Sequence, residues 1–439
     1  MRTDLERRLR ERLSEGDYCF PDYDGYCFAN VPATVGSVLG ADRNAGRSLP
    51  DDVLTGVGDE YDRVLVVVVD GFGTAFWKRH DHPLLERVEA EGIVSPLTST
   101  YPSETAAAMT TFHTGRLPAA HGVLGWDIYD PADDASYEAF TVEVKAGNES
   151  VDHELHDVFE GEPIYPDLAN AGVDCHHVVP FEETYDGAVA HTYDWNRDGD
   201  RDHHELGRKP EIEGFDSALE AAFTAAETPA YLFAYLPQID SAAHAFGTES
   251  EEYRETVDNT FDALERALSG LESNGSGASA GGSADRDAET LVVLTADHGH
   301  VDTDPERNID LETCDEIMGY LEHHADGEPV RYAGSPRNLH LHLRDSDRGR
   351  ERVRTMLDET LDARIFTREE VLERDLFGDC RPSETFQRRL GDLVVCHRER
   401  SVWYGSDRAH LELVGVHGGL HPDEMLVPFA ASDLEPVLE

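Results

Sequence analysis

Three patches far apart along the chain, VVVVDGFG, PQIDSAAHAFG and LTADHGH, place Asp70, the pair Asp240 and His244, and the pair Asp297 and His298 where divalent cations can share them. Near the C-terminus GVHGG adds His417, and between the first two patches YPSETAAAMTTFHTGRLPAAHG offers the hydroxyl of Thr105. Carboxylates, imidazoles and one threonine in this combination match the demand of a two-metal hydrolase. In such an enzyme the nucleophilic hydroxyl is deprotonated and the leaving oxygen neutralised by separate cations.

Each of these residues also has an ordinary reading. Asp70 follows an apolar run and precedes Gly71 and Gly73, so it can be a turn former or helix cap as well as a ligand beside which the chain bends closely around an ion. Thr105 can be the N-cap of the segment from Ala106 to His113. That role is compatible with catalysis, because a helix start gathers free N–H groups and the positive end of the macrodipole around an alkoxide or a phosphate. Ser103 and Thr100 are competing nucleophiles. Asp240 and His244, four apart, share one face if Ser241 opens a helical turn. Asp297 and His298, adjacent at the end of the buried run LVVLT, can grip one metal from two sides. His417 lies among Gly415, Gly418 and Gly419, in a flexible turn that can also deliver a ligand. Of the other histidines, His176/His177, His203/His204 and His323/His324 read as surface pairs, and His121 as packed in a turn. His300 and His421 read as partners that orient neighbouring ligands.

The elements that must hold these groups alternate between strand and helix. Arg63 to Val69 is a β-branched run suited to a parallel strand buried on both faces, and Ala75 to Glu91 reads as the helix after it. Further strands are expected at His176–Val179, Tyr231–Leu236, Leu291–Thr295 and Asn338–Leu343, and helices at Phe215–Ala226, Ser250–Leu271 and Arg348–Leu361. The alternation implies an α/β fold with a parallel-dominated central sheet, helices on both faces and a small lid or cap. Ligands in such sheets gather beyond the carboxyl ends of the strands, where Asp70, Asp240 and Asp297 each fall. Residues 1–439 are expected to form a single catalytic domain. Residues 127–204 read as a lid or substrate-pocket elaboration, and 273–287, rich in Gly, Ser and Ala, as a flexible surface loop within the domain.

Against 37 basic residues stand 90 acidic ones, a net charge of −53 over 439 residues. A surface this acidic repels phosphate backbones and anionic lipid, which argues against a nucleic-acid partner and against electrostatic membrane attachment. A halophilic cytoplasm explains it economically, since screening shortens to about 3 Å at 1 M salt. The cysteines at 19, 27, 175, 314, 380 and 396 form no CxxC pair, so neither structural zinc nor a disulfide framework is expected. Leucines 5, 9 and 13 give the N-terminus helical spacing, but no apolar core of a signal peptide follows and no run reaches a membrane span of roughly 18 residues, so the expected location is cytoplasmic.

The order and spacing of the patches resemble the alkaline phosphatase superfamily, and within it the type I phosphodiesterase and nucleotide pyrophosphatase family, from about Arg63 to about Phe429. Asp70 matches the ligand at a strand end. Pro102, Ser103, Glu104 and Thr105 match the nucleophile segment, and Thr114, Gly115, Pro118, His121 and Gly122 match the run that follows it. Asp240 with His244, Asp297 with His298 and Gly299, and His417 with Gly418 fill the remaining motifs. The spacing to Thr114 and Gly115 ranks Thr105 above Ser103 and Thr100. The resemblance implies an alkaline-phosphatase-like sandwich with one metal on Asp240, His244 and His417 and a second on Asp70, Thr105, Asp297 and His298. Zinc suits these donors best, with manganese as the alternative. It further implies cleavage of phosphodiester or pyrophosphate bonds of a small phosphate ester such as a nucleotide, through a covalent phospho-threonine. One position departs: where the animal enzymes carry an asparagine whose amide steadies a phosphate oxygen, this chain has Ala108. The alternatives are a phosphomonoesterase or phosphoglycerate mutase on the same scaffold, or a metal-binding scaffold without catalysis. The nucleophile segment offers only Arg116 as a clamp for a doubly charged monoester, which favours diesters. Sulfatase chemistry is disfavoured because Thr105 replaces the required cysteine.

Overall fold

Runs of β-branched residues dictate the centre of the molecule. In the structure, a computed structural model that describes residues 1–41, 47–58, 60–181, 185–195, 212–275, 289–344 and 347–438, the strand Arg63–Val69 lies in the middle of a seven-stranded sheet. The order across the sheet is Ile93–Thr98, Leu426–Asp433, Thr290–Thr295, Arg63–Val69, Ala230–Leu236, Asp174–Val179 and Val189–Thr192. Only Leu426–Asp433 runs against its neighbours. All six residues from Val64 to Val69 are buried, so both faces of the sheet are covered, and each side chain contributes about 1.5–3 kcal/mol relative to exposure. The helices Phe215–Ala225 and Glu251–Gly275 supply Leu219, Ala222, Tyr253, Val257, Phe261 and Leu264 to the same core. This is the α/β sandwich that the alternation of elements implied.

The expected helix Ala75–Glu91 is two helices, Thr74–Trp77 and Pro83–Glu91. Pro83 starts the second, and the His82 ring caps it by accepting a hydrogen bond from the Leu84 N–H at 3.2 Å. Asn338–Leu341, expected among the parallel strands, belongs instead to a second seven-stranded sheet that is antiparallel throughout. The described part of the segment 127–204 contributes to both large sheets. Asp127–Asp130, Ala135–Glu138 and Val144–Gly147 form one side of that second sheet, while Asp174–Val179 and Val189–Thr192 close the edge of the central one. The charges of Asp127 and Asp130 are neutralised by partners distant in sequence. Lys145 meets Asp127 at 3.1 Å, and Arg388 and Arg389 each meet Asp130 at 2.8 Å.

Of the loop expected at 273–287, residues 273–275 continue the long helix, and 276–287 lie outside the described residues. His203 and His204 also lie outside them. Of the other pairs, His176 and His177 are not at the surface, each at most 3% exposed, while in the third His324 is buried and His323 is exposed. His176 is held between Asp174 and His191, each at 3.0 Å, and His177 packs its ring against Tyr165 and Phe233. All six cysteines are free. No helix among the described residues is long and apolar enough to cross a membrane.

Candidate metal centre

Asp70 follows the strand Arg63–Val69, Asp240 lies just past Ala230–Leu236, and Asp297 comes two residues after the end of Thr290–Thr295. These strands are parallel, so their ends share one rim. Asp240 and His244 occupy one face of the helix Gln238–Phe246, and Thr105 opens the helix Thr105–Thr114 after the strand Ile93–Thr98. His417 arrives on the loop after Gly415–Val416. The structure brings together all seven residues singled out by type and spacing.

They form two adjoining groups. In one, His298 Nε2 lies 2.9 Å from Thr105 Oγ1, 3.3 Å from Asp70 Oδ1 and 3.5 Å from Asp297 Oδ2. In the other, Asp240 Oδ1 lies 3.3 Å from His244 Nε2, 3.5 Å from His417 Nε2 and 2.9 Å from His300 Nε2. Asp240 also lies close enough to Asp70 and His298 to be shared between the groups.

Thr105 is the first helical residue rather than the cap, a position that Glu104 takes. Its hydroxyl therefore faces His298 instead of being spent on the helix backbone. The competing hydroxyls are occupied: Ser103 Oγ donates to the Gly419 carbonyl at 2.8 Å, and Thr100 Oγ1 donates to that of Pro102 at 3.1 Å. Ala108, three residues along the same helix from Thr105, is fully buried in the main hydrophobic core. Arg116 is exposed. His421 caps the helix Pro422–Met425, its ring accepting from the Asp423 N–H at 3.1 Å.

The donor set fits divalent cations. Asp70 Oδ2 accepts from the Tyr235 hydroxyl while Oδ1 is buried without a hydrogen-bond partner. Asp297 Oδ1 accepts the N–H of His298 at 3.0 Å and of Gly71 at 3.3 Å, while Oδ2 is likewise buried and unpartnered. Buried acceptors are costly unless something positive or protic meets them. Burial and the neighbouring carboxylates of Asp297 and Asp240 raise the Asp70 pKa far above the usual aspartate range. Burial would also raise Asp240, but the imidazoles of His244, His417 and His300 hold it well below that range. Burial lowers His244 to about 4, lowers His298, and pushes His417 well below the usual imidazole range. Neutral imidazoles and crowded carboxylates form a site that bound cations would neutralise.

Two contributors have weak sequence signals. Tyr235 is one hydroxyl in the apolar strand AYLFAYL, five residues before Asp240, and its role emerges only when strand pairing sets it beside Asp70. Arg337 and Glu424 form a fully buried bidentate pair. Glu424 Oε1 accepts the Gly419 N–H at 3.0 Å and Oε2 accepts that of His421 at 3.1 Å, which ties down the loop carrying His417.

The model of the family described as "Type I phosphodiesterase / nucleotide pyrophosphatase" matches residues 64–420. A Schizosaccharomyces pombe protein described as an uncharacterized pyrophosphatase/phosphodiesterase is 25% identical over 271 residues, which are 61% of this chain and 50% of that relative, so the chain spans about half its length. Among solved structures, murine ectonucleotide pyrophosphatase / phosphodiesterase 5 superposes with a TM-score of 0.60 at 17% identity, covering 84% of this chain and 87% of its own. An inactive threonine-to-alanine variant of the same murine protein, in complex with AMP, gives a TM-score of 0.59 at 17% identity over 85% and 88% of the two chains. At this identity the likeness to the murine structures is one of fold.

Proposed function

The chain belongs to the type I phosphodiesterase / nucleotide pyrophosphatase family of the alkaline phosphatase superfamily, and from that premise we propose that it hydrolyses phosphodiester or pyrophosphate bonds, with Thr105 as nucleophile and two divalent cations as cofactors. The observation that carries this reading is the meeting of Thr105 Oγ1 with His298 Nε2 at 2.9 Å, beside the unpartnered oxygens of Asp70 and Asp297. Asp70, Thr105, Asp297 and His298 would hold one cation, and Asp240, His244 and His417 the other. Zinc fits donors so rich in imidazole and carboxylate, with manganese as the alternative. When bound, these cations supply the positive charge that favours the threonine alkoxide and the departing oxygen.

The residues then divide the work. Thr105 Oγ1 gives up its proton to solvent and forms a bond to phosphorus as the bond to the leaving oxygen breaks. The leaving group departs as an alkoxide or phosphate that takes a proton from solvent, and water hydrolyses the phospho-threonine to free phosphate ester and the threonine hydroxyl. The first N–H groups of the helix Thr105–Thr114, which lack intrahelical acceptors, face the negative charge of the transferred group. Tyr235 fixes Asp70 through its hydroxyl. The Glu424 clamp on Gly419 and His421 fixes the His417 loop.

A nucleotide substrate is in keeping with the AMP held by the murine variant. Ligands running from Asp70 to His417 support one catalytic unit over the chain. The net charge of −53 supports a halophilic cytoplasmic setting.

The test compares bis-p-nitrophenyl phosphate, p-nitrophenyl phosphate and a nucleotide diester in high salt, with zinc or manganese restored to chelator-stripped protein. Metal-dependent cleavage of the diesters, abolished by Thr105→Ala with both cations still bound, is expected. Monoester turnover far above every diester would replace this reading with a phosphomonoesterase.

A further inference from the structure

The group around Asp240 contains one imidazole more than the ligand set assigned above. Resting on the two-cation reading, we infer that His300 is a direct ligand of the cation held by Asp240, His244 and His417.

The tautomers carry the argument. His244 Nδ1 lies 2.6 Å from the Gly415 carbonyl, His298 Nδ1 3.1 Å from that of Gly299, His417 Nδ1 3.2 Å from that of Ser103, and His300 Nδ1 3.0 Å from that of Gly71. A carbonyl oxygen only accepts, so each Nδ1 bears the proton, and a ring carrying no second proton presents a lone pair at Nε2. His300 thus carries the same arrangement as the three assigned histidines, a backbone carbonyl behind the ring and a bare nitrogen ahead of it.

That nitrogen lies 2.9 Å from Asp240 Oδ1, with His244 Nε2 at 3.3 Å and His417 Nε2 at 3.5 Å from the same oxygen, and 3.2 Å between these two nitrogens. Lone pairs crowded at such distances repel one another unless a proton or a cation lies among them, and one divalent cation serves all four donors at once. The rings approach from different directions: His300 stands at 84° to His244 and 83° to His417. His300 is 1% exposed and has no freedom to turn away. A Cβ on Gly71 would come within 2.2 Å of its Cε1, so the chain just past Asp70 closes directly on the ring. Three imidazoles and one carboxylate make this the more nitrogen-rich of the two sites, which favours zinc over manganese there.

The competing role is that of a positioning residue, a protonated ring donating from Nε2 to Asp240. Substitution with Co2+ separates the two, because each cobalt-bound ring with a protonated Nδ1 gives one hyperfine-shifted exchangeable proton in the NMR spectrum. Direct ligation predicts four such protons in the parent, from His244, His298, His300 and His417, and three in His300→Ala. Three in the parent, unchanged in His300→Ala, would overturn the inference while leaving the two-cation reading intact. A parent that binds no cobalt would overturn both. The parent spectrum decides even if His300→Ala fails to fold.

Discussion

Replacing Arg337 with methionine removes the cation that neutralises Glu424 where both side chains are fully withdrawn from water. Arg337 donates from Nε and Nη2 to the two Glu424 oxygens at 2.9 and 2.8 Å, from Nη1 to the Arg400 carbonyl at 2.8 Å and from Nη2 to the Arg398 carbonyl at 3.2 Å. Its loss leaves a buried carboxylate with only the Gly419 and His421 N–H groups, which costs about 3–5 kcal/mol. In Arg337→Met/Glu424→Met no charge is stranded, so the double variant should lose less than the sum of the single variants by at least about 2 kcal/mol. Burial alone would raise the Glu424 pKa, but Arg337 holds it below the ordinary glutamate value. The pair's contribution is therefore fully present above the unfolded glutamate pKa of about 4.3 and is lost as pH falls through the lower folded value. Urea unfolding at fixed high salt with saturating metal, repeated from about pH 7 downward, measures this, and the gap between parent and Arg337→Met should narrow on acidification. A single variant within about 1 kcal/mol of the parent at neutral pH, or additive losses, would refute the argument.

Three further outcomes are expected. Ala108→Asn buries an amide in the main core and should cost about 1–3 kcal/mol with kcat/KM per folded molecule unchanged; raised diesterase turnover would place residue 108 in the site. Tyr235→Phe removes the hydroxyl that holds Asp70 and should weaken metal affinity about 10- to 100-fold in chelator competition, whereas an unaltered affinity would leave that contact without a role. With a net charge of −53, the melting temperature should climb from dilute buffer to molar potassium chloride, and a flat series would sink the halophilic reading.

What was legible in the sequence follows from what is local. Asp70, Asp240 and Asp297 could be placed because each closely follows an apolar run long enough to be a buried strand, and parallel strands bring their ends to one rim. Thr105 was singled out by its motif, yet its freedom from the capping role depends on Glu104 taking that position. The second sheet was hidden because its strands are short and carry charges, and the partners that neutralise Asp127 and Asp130 lie as far away as Arg389. Histidines such as His176 and His177 looked solvent-facing because a sequence shows two polar rings and not the Asp174 or the aromatic neighbours that receive them. Tyr235 and the Arg337–Glu424 clamp share this character, since their roles exist only through contacts between distant segments.

The central claim is that Thr105 attacks phosphorus and is itself phosphorylated before water completes the reaction. Two in-line displacements at one phosphorus restore its configuration, whereas one displacement by water inverts it. Hydrolysis of a single diastereomer of a nucleotide phosphorothioate diester in 18O-labelled water, with the product's configuration read by 31P NMR, therefore tests the claim at the reacting atom. Retention of configuration in the parent is predicted, and inversion would contradict the phospho-threonine route.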